Sequence, residues 1–151
     1  MTAQLPLKGI RVMDMTVVWA GPYCTTLLAD MGAEVIRIES IQTMGPPTRS
    51  AMAHPSDGFM KNVTAHVGGA PGRIAGKRPW NRMPIFNAHA RNKRSMTVDL
   101  LKPEGMDIFK RLVAVSDVLV ENNPTETMQK LGIDYEELRQ INPRFIMVRM
   151  P

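Results

Sequence analysis

Residues 9–39 read GIRVMDMTVVWAGPYCTTLLADMGAEVIRIE, and they predict a βαβ unit. The short apolar run Ile10–Met15 is typical of a strand that is covered on both faces of a parallel sheet. A helix begins at Gly21–Pro22, where the missing N–H of proline costs little. Gly32 ends the helix, and Glu34–Ile38 forms the second strand. The crossover between the two strands should be right-handed.

The predicted helix carries an apolar stripe, which should pack on the sheet because its members recur at helical spacing. The stripe consists of Cys24, Leu27, Leu28 and Met31. The first turn, Ala20–Pro22, has two interpretations: its backbone N–H groups could bind a phosphate or pyrophosphate, or it simply connects strand to helix. The dinucleotide fingerprint G-x-G-x-x-G is absent, which argues against an ordinary NAD site although Glu39 ends the second strand.

The α/β alternation resumes at Asn92 and continues to the last residues. The sequence predicts strands at Met96–Leu100, Asp117–Val120 and Phe145–Val148. It predicts helices that begin at Pro103, run from Pro124 to Leu131, and begin at Asp134. The first of these helices carries an apolar stripe, which consists of Ile108, Phe109, Leu112 and Val113. Glu121, Asn122 and Asn123 follow a strand, at the end where open α/β sheets commonly bind ligands. Asn123 is equally suited to be a plain helix N-cap.

Length and composition indicate one ordinary globular domain of 151 residues. A single cysteine excludes an internal disulfide and fits a reducing compartment. The first residues, MTAQLPLKG, contain no apolar segment typical of a signal peptide, and no later run is long enough to span a bilayer. We therefore expect a soluble cytoplasmic protein.

Four blocks of the sequence together resemble the N-terminal part of the class III CoA-transferases. They are residues 9–39, NKRSMTVDLLKPEG (92–105), SDVLVENN (116–123) and INPRFI (141–146), and they occur in the family's order. The family includes formyl-CoA transferase, carnitine CoA-transferase and 2-methylacyl-CoA racemase. The resemblance covers nearly all of the chain except about residues 41–90, but only about the first third of a family member.

The resemblance implies a coenzyme A site at the strand ends. The residues after the first strand, Trp19 and Ala20, correspond to CoA contacts, as do Asn122 and Asn123 after a later strand. The strand that follows the NKRS block contributes Val98, Asp99, Leu100 and Leu101, and the helix after Asn123 supplies a cation at Lys130. The cofactor implied is CoA, as acyl-CoA substrate, and no metal.

The chain departs from the family at several of these positions. Ser40 stands where the family often has a basic residue, Asn123 replaces a commoner phenylalanine, and Lys130 replaces an arginine, which keeps the charge but loses bidentate geometry. The catalytic Asp of the transferases, and the His and Asp of the racemases, correspond to positions beyond Pro151. No catalytic residue is therefore assigned within the chain.

The segment between Ile41 and Ser95 holds most of the basic excess, with nine Lys or Arg residues against the single acid Asp57. Its Gly and Pro content predicts a long irregular loop at about 41–91. Three roles remain open: a solvated or subunit-contacting loop, a site for an anion such as the phosphates of CoA, and nucleic-acid binding. The last is disfavoured because aromatic residues are too sparse for a stacking platform.

Other candidate chemical groups are isolated. His54, His66 and His89 have no metal-ligand spacing and are interpreted as solvated loop residues. Cys24 lies on the predicted apolar stripe, which favours a buried thiol over a nucleophile. Asp14, inside the first strand, is either a buried hydrogen-bond partner or an acid at the sheet edge.

The sequence therefore predicts a single α/β CoA-binding domain over residues 1–151, with a Rossmann-like parallel sheet and flanking helices. It would form the incomplete N-terminal part of a class III CoA-transferase, acting on CoA or acyl-CoA as a homodimer or with a chain that carries the C-terminal part. Neither nucleic acid nor membrane is an expected partner. The alternatives are a racemase-type fragment, a non-catalytic CoA- or nucleotide-binding module, and an interaction remnant that binds no CoA.

Overall fold

The structure is a computed structural model that describes residues 4–40, 54–63 and 71–150. Its strands are β1 (Arg11–Met15), β2 (Glu34–Glu39), β3 (Lys93–Thr97), β4 (Val118–Glu121) and β5 (Ile146–Arg149). Its helices are α1 (Ala20–Asp30), α2 (Asp57–Asn62), α3 (Pro84–Ala90), α4 (Pro103–Val113), α5 (Thr125–Lys130) and α6 (Tyr135–Ile141), with short 3₁₀ segments at Pro71–Arg73 and Pro79–Asn81. The strands form one parallel sheet in the order β3-β2-β1-β4-β5. The predicted Rossmann-like sheet is confirmed.

An apolar layer covers each face of the sheet. Successive residues of β1 contribute to opposite layers because their side chains point to opposite faces. On one face, Val12 packs with Val120 and with Ala29 of α1, and α3 packs in turn on α1. On the other face, Met13 packs with Phe109 of α4, and α5 and α6 complete that layer. The central strands β1 and β4 are therefore held between helices, which fixes the position of their carboxyl ends.

The buried face of α1 differs from the predicted stripe. Leu27 and Met31 are 38% and 43% exposed, and Cys24 is only half-buried. The buried residues of α1 are Gly21, Pro22, Thr25, Thr26 and Ala29, and the half-buried Leu28 packs against the core beside them. The prediction holds for Leu28 but is wrong for Leu27 and Met31, because it counted only apolar side chains. The threonine hydroxyls can be buried since they donate hydrogen bonds, for example from Thr26 Oγ1 to the backbone oxygen of His89 at 2.6 Å.

Strand β3 begins three residues earlier than predicted, at Lys93 rather than Met96. It pairs with β2 in the register Val35↔Lys93 to Glu39↔Thr97. β3 lies at an edge of the sheet and is largely exposed, so it lacks the apolar run by which a strand is recognised in sequence. Consequently Val98–Leu101 do not form the strand but follow it. The bounds of the other predicted strands differ from the observed ones by no more than one residue at either end.

The predicted irregular loop at 41–91 is wrong for part of its length. The described residues of this segment include α2 and α3, and α3 is covered on its inner side, where Phe86 and His89 are buried. The segment has no amphipathic period long enough to predict these short helices, which are stabilised by packing against the rest of the fold. Residues 41–53 and 64–70 lie outside the described part of the chain.

Candidate functional site

The order of the sheet reverses at β1. From β1 the chain continues to β2 and β3 on one side, and it then returns to β4 and β5 on the other side. In open α/β sheets, ligands bind in the crevice outside the carboxyl ends of the strands at such a point. Met15 and Glu121 are neighbours at these ends, so residues 16–20 lie beside Asn122 and Asn123. The structure thereby brings together four predicted site residues, Trp19, Ala20, Asn122 and Asn123, and we call this region the β1/β4 crevice.

Asn122 fixes the turn between β1 and α1. Its side-chain Oδ1 accepts a hydrogen bond from the backbone N–H of Val17 at 2.7 Å, and its Nδ2 donates to the backbone oxygen of Val18 at 2.7 Å. Gly21 lies against the same group, because a Cβ there would stand 2.5 Å from Thr16 Cβ and 3.0 Å from Asn122 Cγ. The turn after β1 therefore requires both a glycine and this asparagine.

Asn123 has a structural role that differs from the predicted alternative of a helix N-cap. Pro124 is the N-cap residue of α5 and makes no side-chain cap. The Nδ2 of Asn123 instead donates to the backbone oxygen of Met15 at 2.9 Å, and its backbone N–H donates to Glu121 Oε2 at 2.8 Å. Glu121 is fully buried and accepts a second bond from Arg149 Nε at 2.9 Å. The end of β4 is thus tied to both β1 and β5.

Trp19 projects from the turn in a strained backbone conformation. Its φ and ψ are 37° and −85°, values that side chains larger than glycine rarely adopt. The indole is 49% exposed and meets the ring of His89 edge to face, with 5.6 Å between the ring centroids. Backbone strain of this kind clusters at functional sites. The position of Trp19 therefore depends on the turn behind it and on His89 below it.

His89 is buried, at 8% exposure, so its interpretation as a solvated loop residue is wrong. Its Nδ1 has no hydrogen-bond partner, and burial lowers the pKa of His89 below its ordinary value. The positive charges of Lys93, Arg37 and Arg91 lower that pKa further. His89 is therefore neutral at pH 7. His54 is exposed as predicted, and His66 lies outside the described residues.

The N-terminus of α1 faces the same crevice because α1 begins directly after Trp19. The helix has no side-chain cap, and Pro22 contributes no N–H, so the first N–H groups of α1, those of Ala20 and Gly21, are not satisfied by a capping side chain. A helix of this length presents a partial positive charge at that end. The site is chemically suited to an anionic or strongly polar oxygen of a ligand.

Val98–Leu101 also lie at the carboxyl ends of the strands, but two strands away from β1 across the sheet. Val98 N–H donates to the backbone oxygen of Glu39 at 2.9 Å, and Asp99 Oδ1 accepts from the N–H of Leu101 at 3.1 Å. Leu101 is exposed. Since neighbouring strands are about 4.8 Å apart, β3 ends about 10 Å from β1. These residues are therefore not in contact with the crevice, but an extended ligand along the edge would reach both.

Lys130 is exposed and is the last residue of α5. A helix of six residues is about 9 Å long, so Lys130 stands at the end of α5 that is remote from Asn123. The structure does not join it to the β1/β4 crevice. Ser40, which follows β2, has an interaction within the fold.

A separate cavity of about 410 Å³ lies beside β2, β3 and α3. Its charged lining includes Arg37, Arg91 and Arg94, and each of these forms an ion pair with Glu39, Asp30 or Glu34, respectively. None of the predicted site residues lines this cavity. Because its charges are already compensated, we assign the candidate site to the β1/β4 crevice.

A buried ionic cluster lies behind the site and was not predicted. Asp14 Oδ2 accepts hydrogen bonds from Lys93 Nζ at 2.9 Å and Thr25 Oγ1 at 2.8 Å, and Arg37 lies 3.9 Å from the same oxygen. Burial lowers the pKa of Lys93, and the adjacent carboxylate opposes this shift. Of the two interpretations of Asp14, the structure supports the buried hydrogen-bond partner. The cluster joins β1, α1, β2 and β3.

Neither a cluster of metal ligands nor a membrane-spanning helix occurs among the described residues. In residues 4–40, 54–63 and 71–150, no three His, Cys, Asp or Glu side chains are grouped as metal ligands. Every helix in those ranges is too short or too polar to cross a bilayer.

Comparison with known proteins identifies the family. The sequence pattern of CoA-transferase family III matches residues 7–151. The chain belongs to this family. The beta subunit of succinyl-CoA–L-malate CoA-transferase from Chloroflexus aurantiacus is 38% identical over 149 residues, which are 99% of this chain and 31% of that protein. Succinate–glutarate CoA-transferase from Agrobacterium fabrum is 36% identical over 93% of this chain and 31% of its own length.

Solved structures of the family agree with the fold. A CAIB/BAIF family protein from Brucella suis superimposes with a TM-score of 0.72 and 33% identity, over 97% of this chain and 33% of that one. This class III CoA-transferase chain thus spans about a third of the length of the relatives it matches. The predicted family and the predicted partial coverage are both confirmed.

Proposed function

We propose that this chain is the CoA-binding part of a class III CoA-transferase, with the CoA thioester in the β1/β4 crevice. The observation that carries the proposal is the bracing of residues 17 and 18 by Asn122, which fixes the turn in front of the uncapped N-terminus of α1. Trp19 and Ala20 would contact the pantetheine or thioester end. Val98–Leu101 would line the same edge for the rest of an extended CoA molecule, since such a ligand can span about 10 Å between strand ends.

The proposed reaction moves CoA between two carboxylic acids. A catalytic Asp, which the family resemblance places beyond Pro151, attacks the thioester carbonyl, so that a mixed anhydride forms and CoA leaves as the thiolate. The thiolate then attacks the Asp carbonyl, so that the first acid leaves as its carboxylate and an enzyme thioester remains. The carboxylate of the second acid attacks this thioester, which releases the CoA thiolate and forms a second mixed anhydride. The thiolate finally attacks the acyl carbonyl of the second acid, which yields the new acyl-CoA and restores the Asp carboxylate. In this scheme the described residues bind and orient CoA, and the reacting carboxylate comes from outside them.

Two features of the relatives support the finer parts of the proposal. The relatives named above are transferases of succinyl-CoA or succinate, which favours transfer over the racemase alternative and makes C4 and C5 dicarboxylic acids the first substrates to test. One of them is named as a beta subunit, which supports association of this chain with a second polypeptide. The single cysteine fits a cytoplasmic location.

Calorimetry with CoA tests the binding site through a matched pair of asparagines. Asn122→Ala removes both bonds that brace the turn, so we expect CoA affinity to fall roughly tenfold or more, which is about 1.4 kcal/mol. Asn142 makes a similar brace at the opposite edge of the sheet, where its Nδ2 donates to Ser116 O at 2.8 Å and Val113 O at 3.2 Å. Asn142→Ala should lower stability to a similar extent and leave CoA affinity unchanged. Equal CoA affinity in both variants would refute the assignment of the crevice.

A further inference from the structure

His89 contacts two aromatic side chains that stand one helical turn apart at the start of α1. Its ring meets the indole of Trp19 with 5.6 Å between the ring centroids, and it meets the ring of Tyr23 at 6.1 Å. The N–H of Tyr23 donates to the backbone oxygen of Trp19 at 3.0 Å, which closes the first turn of the helix. His89 therefore spans this turn from the side of α3.

The backbone of Trp19 has to be held by its surroundings. Its φ of 37° and ψ of −85° are unfavourable for any residue with a side chain, so the conformation persists only where neighbouring groups support it. The ring contact with His89 is one such support. The ψ angle of Trp19 also sets the direction of the next peptide, which carries the N–H of Ala20. If Trp19 relaxed, a donor of the β1/β4 crevice would turn away.

The ring of His89 is fixed against α1. His89 is buried at the end of α3, and its backbone oxygen accepts a hydrogen bond from Thr26 Oγ1 at 2.6 Å. Its Nδ1 is buried and has no hydrogen-bond partner. An unpartnered buried nitrogen is destabilising, so its presence requires an explanation. The contacts with Trp19 and Tyr23 supply one, because an aromatic ring is needed between these side chains and α3.

We propose that His89 is a positioning residue of the CoA site: its neutral ring holds Trp19, and through Trp19 the first N–H groups of α1, in the arrangement that binds the ligand. The inference rests on the proposed function, because it concerns the affinity of the same crevice. It adds a residue that acts on CoA only through Trp19.

The charges around His89 make this arrangement sensitive to pH. Cationic side chains near His89 come from β2, from β3 and from the residue after α3; they are Arg37, Lys93 and Arg91. The carboxylates that pair with these cations are Asp14, Asp30 and Glu39. The side chains that α1 contributes are uncharged; they are Trp19, Tyr23 and Thr26.

Burial lowers the pKa of His89, and the three cations lower it further. A proton on His89 adds a positive charge beside them in a place that water reaches poorly. The charged ring should therefore leave its position, so that Trp19 loses its support. CoA affinity should consequently fall as the pH falls below the pKa of the folded chain, which lies under about 6.5.

Calorimetry with CoA tests the role through two substitutions of His89. His89→Ala removes the ring, so CoA affinity at about pH 7 should fall roughly fivefold or more. His89→Phe keeps a ring that cannot be protonated, so it should bind within about twofold of wild type at pH 7 and lose less affinity than wild type at about pH 5.5. The phosphate of CoA titrates near pH 6 with both proteins and cancels in the difference.

Leu138→Ala is the control for a general loss of stability. Leu138 is buried in the apolar layer on the other face of the sheet. Its truncation should lower the melting temperature and leave CoA affinity unchanged at both pH values. The comparison of wild type with His89→Phe does not depend on whether His89→Ala folds.

Fluorescence of Trp19 gives a readout that needs no ligand. In a Trp80→Phe background, the emission should shift in His89→Ala and stay close to that of wild type in His89→Phe at pH 7. Unchanged emission in His89→Ala, or parallel losses of CoA affinity on acidification in wild type and His89→Phe, would overturn this inference alone. Absence of CoA binding by the wild type would refute the proposed function and the inference with it.

Discussion

Asp14 holds a negative charge in the centre of the sheet, and Lys93 is the cation nearest to it. Lys93 is itself almost fully buried and also donates to the backbone oxygen of Pro22 at 2.8 Å and to Thr25 Oγ1 at 2.7 Å. Removing one partner from a buried pair leaves an uncompensated charge in a region of low dielectric constant. The Asp14–Lys93 pair therefore helps to fix the connection between β1 and α1. This structural role is larger than the pair's net contribution to the free energy of unfolding suggests.

For this pair we expect a strongly non-additive mutant cycle. Lys93→Met should lower the free energy of unfolding by about 3–5 kcal/mol, because Asp14 loses its nearest cation. Adding Asp14→Asn to Lys93→Met should recover part of that loss, since the stranded carboxylate is gone. Urea unfolding of the single and double variants measures the coupling, and exposed Lys8→Met serves as the control. Additive losses in the double variant would contradict a coupled ion pair.

His89 gives the chain a pH dependence whose sign follows from burial. The ordinary pKa of histidine is about 6.5, and burial lowers the pKa of His89 in the folded chain. Between the folded and unfolded pKa values the unfolded state binds more protons, so stability falls as the pH falls. The contribution of His89 to the free energy of unfolding is therefore fully present above about pH 6.5 and decreases below it.

His89→Phe should remove this component while keeping an aromatic ring under Trp19. The measurement is the urea midpoint of wild type and variant between about pH 7 and pH 5. We expect the wild type to lose stability over this range and the variant to lose less. Paired carboxylates such as Asp30, whose pKa is lowered by Arg91, titrate in both proteins and cancel in the difference. Parallel curves for the two proteins would contradict a buried neutral His89.

At the scale of elements, the start of α1 is the critical connection. Gly21 lets the first turn of α1 approach Thr16 and Asn122 closely, since a methyl group added to Gly21 would lie only 2.5 Å from Thr16 Cβ. A real Cβ contact cannot be that short, so any larger residue must push α1 away from the end of β1. The crevice and the helix N-terminus would move with it.

Gly21→Ala should therefore reduce CoA affinity by roughly tenfold, about 1.4 kcal/mol, and lower stability. Gly58→Ala is the matched control, since Gly58 lies in α2 and a methyl group there would contact only Ser56 Oγ at 3.9 Å. That control should be neutral or slightly stabilising, as alanine is favoured over glycine in helices. Fluorescence of Trp19 in a Trp80→Phe background can report both CoA binding and displacement of the turn. Wild-type affinity in Gly21→Ala would show that the crevice tolerates the shift.

At the scale of the whole molecule, the chain covers about 31% of its relatives, and the proposed nucleophile lies outside it. We therefore expect the isolated chain to bind CoA but to transfer none from succinyl-CoA to a dicarboxylic acid. Chromatography of the acyl-CoA products measures this directly. Turnover by the purified chain that is lost in Asn122→Ala would contradict the expectation and place the catalytic group among these residues.

Sequence reasoning was reliable where the signal is local. The run Ile10–Met15 and the Gly32 turn predicted β1 and the end of α1 within one residue. Asp134, where the sequence predicted a helix to begin, is the N-cap of α6 and accepts a hydrogen bond from the N–H of Glu136. It was unreliable for β3 and α3. β3 is an exposed edge strand, and α3 is a helix of seven residues that depends on packing against α1.

The sequence by itself determined the family, the parallel α/β class and the two asparagines at the end of β4, because apolar periodicity, helix ends and motif blocks act over short distances along the chain. Only the tertiary structure decided what those asparagines do, which face of α1 is buried, and that His89 lies under Trp19. The physical reason is that these features depend on polar groups satisfied by distant partners: Val17 and Asn122 are 105 residues apart, and Lys93 and Asp14 are 79 apart. No local pattern encodes such a contact.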